Sequence, residues 1–287
     1  MKSADAACRL GCAADRLEGS GGGNGQLEAE LLAADLLAVS PGRLRALALT
    51  GNLKLPASFE AAISRRLAGE PLQYITGKAA FLGLDLAVGP GVFVPRPETE
   101  LLAEEAINLA ISRELDLVVD LGTGCGALAA ALATACPDLR VVAVEVSTVA
   151  LGYAELNTAG LAVELVEGDA TCGQTLANLD GQVGLVVANP PYLPQGTPLE
   201  GAAAGYEPDL ALWGGGERGL ELPRAFLNTA RRLLGPGGWA LFELDPSQAG
   251  ALRSWASSIG FEQVTTKPDL VGRTRILQAG LAELGVG

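Results

Sequence analysis

The chain has 287 residues, and its 33 acidic against 20 basic side chains give a formal net charge of −13. This length can bury a full core and suits one large domain with one small domain. The acidic balance offers no positive footprint for tight binding to a phosphate backbone, so direct nucleic-acid binding is not expected. The chain contains no histidine, which excludes histidine-based triads, histidine general bases and histidine metal ligands.

The cysteines and the apolar runs predict a soluble, cytoplasmic protein. The five cysteines form no Cys-x-x-Cys pair and leave an odd one over, which is typical of free thiols in a reducing cytosol. Their spacing offers no zinc site, so no metal is expected. Residues 1–18 have no apolar block after their basic residues, so no secretory signal is expected. The longest uncharged run, 121–137, is short for a bilayer span and contains glycines and a proline, so no membrane segment is expected.

Residues 1–70 are predicted to form a small helical domain. The glycine-rich stretch 18–26, EGSGGGNGQ, predicts a flexible connector with residues 19–25 at its centre. A helix is predicted after it and ends at Ser40-Pro41. Its apolar residues recur at helical spacing: Leu27, Leu31, Leu32, Leu36 and Leu37.

Two more short helices are predicted in this domain. One covers residues 41–49. The other begins after Ser58, which suits an N-cap, and stops at Gly69. Its predicted buried residues are Phe59, Ile63 and Leu67.

Residues 71–96 are predicted to form a β-hairpin linker. Residues that favour strands are frequent in this stretch. They are Tyr74, Ile75, Val88, Val92, Phe93 and Val94.

Residues 97–287 are predicted to form one α/β catalytic domain. Pro97 suits the first turn of a helix, and Glu98 and Glu100 are favourable at the positive end of its dipole. Strands are predicted at 115–121, 140–146, 163–167, 183–188, 239–244, 261–266 and 274–278. Helical stretches are expected between the first five strands and between the fifth and the sixth, which predicts a seven-stranded, Rossmann-like, mostly parallel sheet with helices on both faces. The last two strands lack a helix between them, so an antiparallel strand is expected near the end of the sheet.

The first of these strands ends in a glycine-rich turn, LGTGCGA at 121–127, followed by an Ala/Leu-rich helix. Glycines in this position let the backbone approach a ligand where a Cβ atom would clash. The turn also fits the loose dinucleotide pattern, because Ala127 can fill its last position. Alone, the turn therefore does not separate a nucleoside ligand from NAD or from a purely structural role. The candidate ligand contacts are Gly122, Thr123, Gly124, Cys125 and Gly126.

Three acidic residues stand at successive strand ends. Asp120 comes directly before the glycine turn, where it can meet the positive end of a ligand or orient the loop. Glu145 ends the next strand and is placed to accept both ribose hydroxyls, a feature that an NAD enzyme would share. Asp169 follows the third strand and can accept from an adenine amino group. The series fits a nucleoside without a pyrophosphate, although solvated strand-end acids remain the alternative.

The strand at 183–188 ends in the sequence Asn189-Pro190-Pro191-Tyr192, called here the Asn-Pro-Pro-Tyr loop. Two prolines cannot extend a central strand, so the chain turns at the carboxyl end of the sheet, where ligands bind in such folds. An amide or exocyclic amine offers two N–H donors in a plane. The Asn189 side-chain oxygen and the Pro190 carbonyl are acceptors suited to that pair, and Tyr192 supplies a flat wall. The catalytic candidates are therefore Asn189, Pro190 and Tyr192, in a loop that favours methyl transfer to a planar nitrogen.

Together these motifs resemble a known family. The sequences DLGTGCG at 120–126 and NPPY at 189–192 resemble the class I methyltransferases that use S-adenosylmethionine (AdoMet) to modify amide or exocyclic amino nitrogens. Further stretches narrow the resemblance to the peptide-chain release factor glutamine methyltransferases, over nearly the whole chain from Leu27. These stretches are GEPLQYITG at 69–77, FVPRPETE at 93–100, YEP at 206–208 and LLGPGG at 233–238. FVPRPETE is the most specific, since the related ribosomal-protein enzymes usually differ just after its Pro-Arg.

The resemblance implies a class I methyltransferase sheet, a helical N-terminal domain that docks the substrate, and AdoMet as the methyl donor. It implies a class-1 release factor as the protein partner and a Gly-Gly-Gln glutamine as the target. A monomer is expected, although the sequence does not give the oligomeric state. Carried over by position, the glycine turn, Glu145 and Asn189 contact the cofactor, with Ala170 near the adenine. The Asn-Pro-Pro-Tyr loop, including Pro191, holds the glutamine, and Arg96 of the most specific stretch is a further candidate substrate contact.

Three positions depart from the family pattern. Glu145 stands where an aspartate is usual and gives a longer arm for the same ribose hydroxyls. Ala170 stands where a bulky aromatic residue is expected near the adenine. Asp245 replaces a glycine in the usual Glu-x-Gly and is expected to perturb the following loop. None of them removes a chemical group that the reaction needs.

Four alternative functions share part of the pattern. A ribosomal-protein glutamine methyltransferase carries the same loop. A DNA adenine-N6 methyltransferase would need base flipping and a basic groove, which the acidic charge disfavours. An NAD-dependent oxidoreductase would lack a proton-transfer residue and leave the Asn-Pro-Pro-Tyr loop unexplained. A non-catalytic AdoMet-binding adaptor would not need that loop intact.

Overall fold

The computed structural model describes residues 3–20, 23–199 and 205–283. The chain divides into two compact units, Met1–Lys78 with Pro198–Tyr206, and Ala79–Thr197 with Glu207–Gly287. Residues 198–199 and 205–206 therefore group with the N-terminal unit, although they follow the Asn-Pro-Pro-Tyr loop in sequence.

The described part of the N-terminal unit is helical. Its helices are α1 (Ser3–Gly19), α2 (Gly25–Leu36), α3 (Pro41–Leu49), α4 (Phe59–Leu67) and α5 (Leu72–Thr76). The bounds predicted for α3 are confirmed, and those for α4 are correct to within about two residues, but α2 ends at Leu36, four residues before the predicted end at Ser40. Ser58 occupies the N-cap of α4 as predicted, but its side chain makes no capping hydrogen bond.

Helix α1 was not predicted, because its buried stripe consists largely of alanine. The stripe comprises Ala6, Leu10, Ala13, Ala14 and Leu17, which pack against α2 and α4 in one core. Small side chains at helical spacing give a weak periodic signal even when they are fully buried.

The connector predicted as flexible over 19–25 is shorter than expected. Gly19 ends α1 and Gly25 begins α2, while residues 21 and 22 lie outside the described residues. A Cβ atom on Gly25 would lie 2.3 Å from the Ala14 carbonyl oxygen. Gly25 therefore allows the close crossing of α1 and α2, and Asn24 caps α2 by accepting from the Leu27 N–H at 3.0 Å.

The hairpin linker predicted over 71–96 is confined to strands β1 (Lys78–Phe81) and β2 (Leu84–Ala87). The turn between them has positive φ at Leu82 (46°) and Gly83 (79°), as in a type I′ hairpin turn. The prediction was wrong for Tyr74 and Ile75, which lie in α5, and for the residues after 87, which form no regular strand. Val88, Val92 and Val94 are buried in irregular chain, so burial and not strand pairing explains their apolar character.

The second unit contains a seven-stranded sheet flanked by helices. Its strands are β3 (Leu117–Leu121), β4 (Arg140–Glu145), β5 (Val163–Glu167), β6 (Val183–Ala188), β7 (Leu234–Glu243), β8 (Gln263–Pro268) and β9 (Thr274–Gly280). Its helices are α6 (Pro97–Ser112), α7 (Ala127–Ala135), α8 (Thr148–Asn157), α9 (Glu221–Leu233) and α10 (Ala249–Ser258). All seven predicted strands are confirmed, although β7 begins five residues earlier than the predicted residue 239.

The strand order is β5-β4-β3-β6-β7-β9-β8, and β3 to β7 pair in parallel. Strand β9 is antiparallel to both β7 and β8, which confirms the antiparallel strand expected near the end of the sheet. The helix expected between β5 and β6 was wrong. That connection holds only a 3₁₀ turn, Ala177–Leu179, in a segment where Gly168, Gly173 and Gly181 oppose a longer helix.

Within the described residues, no helix is both long and apolar enough to cross a membrane.

Candidate active site

The carboxyl ends of β3 and β6 form the topological switch point of the sheet. From β3 the strand order runs through β4 to one edge, and from β6 it runs through β7 to the other. Asp120 on β3 lies opposite Val187 on β6. The glycine turn (122–126) and the Asn-Pro-Pro-Tyr loop (189–192) therefore start from neighbouring strand ends, where α/β sheets of this kind bind ligands.

The glycine turn has three residues with left-handed backbone conformation. Gly122, Gly124 and Gly126 have φ of 71°, 59° and 84°. A Cβ atom would lie 3.1 Å from the Phe226 ring at Gly122 and 3.2 Å from Ala154 Cα at Gly126, but would meet nothing within 4 Å at Gly124. Two of the glycines thus permit internal packing, whereas Gly124 faces open space and leaves room for a ligand.

Glu145, at the end of β4, holds the turn in place. Its side-chain oxygens accept from the N–H groups of Gly124 and Ser147, both at 2.8 Å. A carboxylate has about four acceptor sites, so both oxygens can still accept from further donors. Glu145 is therefore suited to the predicted pair of ribose hydroxyls, and it also fixes the backbone beside them.

Asp120 is completely buried at the end of β3. One carboxyl oxygen accepts from the Thr123 hydroxyl at 2.5 Å, and the other has no hydrogen-bond partner among the described residues. Burial raises the pKa of Asp120 to about 7, the Thr123 hydrogen bond lowers it, and the charge of Glu145 raises it. Solvent does not reach this oxygen, so Asp120 orients the glycine turn through Thr123, and its contact with the positive end of a ligand stays a prediction.

Cys125 is a packing residue of the turn. It is buried, and burial raises the pKa of its thiol to about 12, so the thiol stays neutral. Its carbonyl accepts from the Asn157 side-chain amide at 2.8 Å, and the same amide donates to the Ala87 carbonyl at 2.9 Å. Asn157, which the sequence analysis missed, thus joins β2 to the glycine turn. All five cysteines are free thiols.

Asp169 and Ala170 follow β5. The Asp169 carboxylate accepts from the Thr171 N–H and hydroxyl at 2.8 and 2.7 Å, an Asx turn that fixes its direction. Ala170 is buried, and its carbonyl accepts from the Thr229 hydroxyl at 2.7 Å. Both stay candidate adenine contacts by position.

The Asn-Pro-Pro-Tyr loop begins where β6 ends, with Asn189 half-buried and Pro190 buried. The Asn189 side-chain amide donates to the Thr99 hydroxyl oxygen at 3.1 Å. The Thr99 hydroxyl donates to Glu243 Oε2 at 2.7 Å, and the Tyr192 hydroxyl donates to Glu243 Oε1 at 3.3 Å. The first and last residues of the loop are therefore connected to the same carboxylate, Asn189 through Thr99 and Tyr192 directly.

Glu243 is only 2% exposed. Burial raises its pKa, while the hydrogen bonds from Thr99 and Tyr192 and the charge of Arg275 lower it. Burial is also the main reason that the pKa of Tyr192 is raised, so its phenol stays protonated and able to donate. No motif in the sequence indicated a role for Glu243 or Thr99.

A glycine-rich strap, residues 213–219, packs against the backbone of the loop. Cβ atoms on Gly214 and Gly219 would lie 2.2 Å from the Gly219 and Tyr192 carbonyl oxygens respectively. The Gln248 side-chain nitrogen lies 2.7, 2.9 and 3.1 Å from the carbonyl oxygens of Tyr192, Arg218 and Gly219, which share its two N–H donors. Gln248 thus joins loop and strap. No local pattern in the sequence indicated its contact with residues 30 and 56 positions away.

Arg96 is paired with Glu207. Its guanidinium donates to Glu207 Oε2 at 2.5 Å, and the Val94 N–H donates to the other oxygen at 3.0 Å. The guanidinium also stacks over the Phe93 ring at 4.7 Å. The specific stretch 93–100 is therefore tied to Glu207 of the Tyr-Glu-Pro motif. Arg96 stays one-third exposed, and its contact with substrate remains a prediction.

Comparison with known proteins shows the family to which the chain belongs. Residues 10–77 match the PrmC N-terminal domain, and residues 85–201 match the methyltransferase small domain. The release factor glutamine methyltransferase of Mycolicibacterium smegmatis is 44% identical over 255 residues, which cover 88% of this chain and 90% of the relative. The Streptomyces coelicolor enzyme of the same name is 42% identical over 275 residues, which cover 93% and 95% of the two chains.

Similar solved structures include the ribosomal protein L11 methylase of Lactobacillus delbrueckii. It is 22% identical, with a TM-score of 0.49, and the match covers 69% of this chain and 84% of that one. The resemblance predicted from the motifs is confirmed by the relatives of high identity. The chain belongs to the release factor glutamine methyltransferase family, and it is an enzyme with the class I methyltransferase fold.

Proposed function

We propose that the chain transfers a methyl group from AdoMet to the side-chain amide nitrogen of the glutamine in the Gly-Gly-Gln motif of class-1 release factors. The observation that carries this proposal is the Asn-Pro-Pro-Tyr loop at the switch point of the sheet. Thr99 and Glu243 orient the Asn189 side chain, and Gln248 holds the loop through the Tyr192 carbonyl. The names of the relatives support the same substrate.

The loop suits a primary amide because the amide carries two N–H donors in one plane. The Asn189 side-chain oxygen accepts one N–H and the Pro190 carbonyl accepts the other. An amide nitrogen is a poor nucleophile, since its lone pair is delocalised into the carbonyl. Holding both N–H groups favours a more pyramidal nitrogen and aims its lone pair at the methyl donor. Tyr192 and Pro191 wall the substrate plane, and Arg96 is a further contact near the docked peptide.

AdoMet supplies a methyl carbon on a positively charged sulfur. The residues that would hold it lie at the ends of β3, β4 and β5. Gly124 leaves open space for it, Glu145 accepts from its ribose hydroxyls, and Asp169 with Ala170 lies at the adenine. Asp120, directly before the glycine turn, places a carboxyl group near the positive end of the donor.

No general base is required in this account. The chain has no histidine, and the phenol of Tyr192 is held protonated by burial. Once methylated, the amide nitrogen is strongly acidic, so its extra proton passes to water after transfer. The chain accelerates the reaction by positioning and by excluding alternative geometries, not by proton abstraction.

The helical N-terminal unit is proposed to dock the release factor. The enzyme is proposed to act as a cytoplasmic monomer. Its net charge of −13 disfavours direct contact with nucleic acid. If docking contributes, a short Gly-Gly-Gln peptide should have a much higher KM than the intact release factor at similar kcat.

The substitution Leu49→Glu tests the docking surface, because Leu49 is 89% exposed on α3. It should raise KM for the intact release factor and leave KM for the peptide unchanged. Leu156→Glu is the matched control, since Leu156 is 67% exposed on α8 of the other unit. Equal KM for peptide and factor would contradict docking.

The decisive experiment is radiolabelled methyl transfer with purified substrates. We expect label on intact release factor, and none when the glutamine of its Gly-Gly-Gln motif is replaced by alanine. Ribosomal protein and duplex DNA serve as competing substrates. Label on either of these in preference to the release factor would overturn the proposal and support the corresponding alternative enzyme.

A further inference from the structure

The orientation of Asn189 is set by a chain of hydrogen bonds that begins at a buried acid. Glu243 accepts from the Thr99 hydroxyl at 2.7 Å, and Thr99 in turn accepts from the Asn189 side-chain nitrogen at 3.1 Å. Thr99 is 4% exposed and Glu243 2%, so water does not readily replace either partner. Thr99 lies on α6 and Glu243 at the end of β7, and the two elements pack against each other.

The direction of this chain follows from the number of protons available. Burial favours the neutral form of Glu243, whereas the hydrogen bonds from Thr99 and Tyr192 and the charge of Arg275 favour the ionised form. The chain of hydrogen bonds requires Glu243 to be ionised, and an ionised carboxylate can only accept, so the single hydroxyl proton of Thr99 goes to Glu243. The Thr99 oxygen can then only accept from Asn189, which turns the Asn189 nitrogen toward Thr99. The Asn189 oxygen is left facing the opposite way. Without such a network the two ends of an asparagine amide are nearly equivalent in shape and can exchange.

We propose that Glu243 and Thr99 are positioning residues that lock the Asn189 side chain with its oxygen toward the substrate amide. This inference rests on the proposed function, because the locked oxygen matters only if the substrate presents an N–H donor. The same carboxylate accepts from the Tyr192 hydroxyl at 3.3 Å. Glu243 therefore sets the first and the last residue of the loop together.

The lock also gives substrate specificity. A glutamine side chain presents N–H donors to the Asn189 and Pro190 oxygens. A glutamate side chain of the same shape presents two acceptor oxygens, which these acceptors repel. If Asn189 were reversed, its nitrogen would meet the substrate instead, and that preference would weaken. The positioning residues thus decide which of two isosteric side chains the loop accepts.

Thr99→Val removes the hydroxyl and keeps the shape. We expect kcat for the intact release factor to fall by about tenfold or more, as for the loss of one well-placed hydrogen bond. The AdoMet dissociation constant and the KM for the release factor should stay within about twofold. Thr99→Ser should restore kcat, because it returns the hydroxyl without the methyl group. Thr158→Val is the control, since Thr158 is also buried and its hydroxyl makes one hydrogen bond, to the Ala154 carbonyl at 2.8 Å.

Glu243→Gln tests the direction of the chain. A glutamine at this position can accept from only one of the two hydroxyls and donates to the other. We expect the preference for a Gly-Gly-Gln peptide over a Gly-Gly-Glu peptide, measured as the ratio of their inhibition constants, to fall by about tenfold. Thr99→Val should lower the same ratio, whereas a variant that merely loosens the fold changes its melting temperature and leaves the ratio unchanged.

Wild-type peptide preference and wild-type kcat in Glu243→Gln would overturn the inference, as would a Thr99→Ser variant that stays as slow as Thr99→Val. If Thr99→Val does not fold, the inhibition ratio of Glu243→Gln decides alone. Measuring the wild-type enzyme distinguishes failure of the proposed function from failure of the positioning role of Glu243 and Thr99. Absence of methylation of any release factor by the wild type defeats the proposed function, while normal wild-type activity with unaffected variants defeats only the positioning chain.

Discussion

The glycine turn and the Asn-Pro-Pro-Tyr loop start from neighbouring strands, but they are held in different ways. The turn is fixed by backbone groups and by Glu145, whose carboxylate accepts from the Gly124 N–H. The N–H groups of Gly122 and Thr123 both donate to the Val144 carbonyl at 2.9 Å. These partners are close in sequence, because only one helix and one strand separate the turn from residues 144 and 145. The conformation of the turn therefore depends on nearby sequence.

The loop depends on residues far away in sequence. Asn189 bonds Thr99 across 90 positions, and Tyr192 bonds Glu243 and Gln248 across 51 and 56 positions. Its prolines fix the backbone but leave the direction of the asparagine amide open. The difference separates two tasks: the turn makes room for a ligand, whereas the loop aims polar atoms. Damage to the turn should therefore weaken AdoMet binding, and damage to the loop should slow methyl transfer.

The largest expected effect is on the loop. Asn189→Ala removes one acceptor for the substrate amide, so kcat at saturating AdoMet should fall by about two orders of magnitude or more. Asn189→Asp keeps an acceptor but places a negative charge beside a sulfur that loses its positive charge in the transition state. That charge stabilises the ground state more, so aspartate should be nearly as poor as alanine. Steady-state kinetics with intact release factor provide the measurement, and an alanine variant within tenfold of wild type would contradict it.

The next effect concerns the turn. Glu145→Ala should weaken AdoMet by about 1.5–3 kcal/mol, the scale of charge-assisted hydrogen bonds. It removes the ribose acceptor and also the support of the Gly124 and Ser147 N–H groups. Calorimetric titration of AdoMet measures the loss. Unchanged affinity in a folded variant would remove Glu145 from the cofactor site. A fall in kcat at saturating AdoMet would contradict the claim that the turn affects only AdoMet binding.

Two glycines form a matched pair that tests the same division. Gly219→Ala places a Cβ atom 2.2 Å from the Tyr192 carbonyl oxygen, so it should displace the loop and lower kcat by about tenfold with AdoMet affinity unchanged. Gly124→Ala meets no protein atom within 4 Å and should instead weaken AdoMet by about tenfold, at a cost near 1 kcal/mol in stability. Both have similar positive φ, of 62° and 59°. The reverse assignment of the two effects would break the comparison.

The smallest effect is on stability and comes from Asp120. Burial raises its pKa from 3.8 to about 7, so the folded protein binds this proton more tightly than the unfolded chain does. Stability from this group is therefore highest below about pH 4, falls as the pH rises to about 7, and is constant above that. Asp120→Asn should raise the melting temperature at pH 8 by about 3 °C or more and leave it nearly unchanged at pH 4. The same variant should bind AdoMet more weakly, and equal melting gains at both pH values would contradict the burial argument.

The strands of the sheet and the positions of the glycine turn and the Asn-Pro-Pro-Tyr loop could be predicted well from the sequence. Apolar runs predicted the seven strands. The glycines, prolines and acidic residues that end these strands predicted where the turn, the loop and the strand-end acids lie. The misses have physical causes. Helix α1 buries small alanines, and Val88, Val92 and Val94 are apolar because irregular chain buries them. Thr99, Glu243 and Gln248 act across the fold, so no local pattern marks them as supports of the loop.

The claim that the loop acts by positioning is tested most directly by the pH dependence of methyl transfer itself. Wild-type enzyme is saturated with AdoMet, mixed with intact release factor and followed through a single turnover from about pH 6.5 to 9. Saturation removes the effect of Asp120, whose titration near pH 7 is expected to change AdoMet affinity and not the transfer step. The account predicts a nearly flat rate across this range, because no group of the loop gains or loses a proton. A bell-shaped profile would show that a titrating acid and base carry the reaction, and would contradict the account.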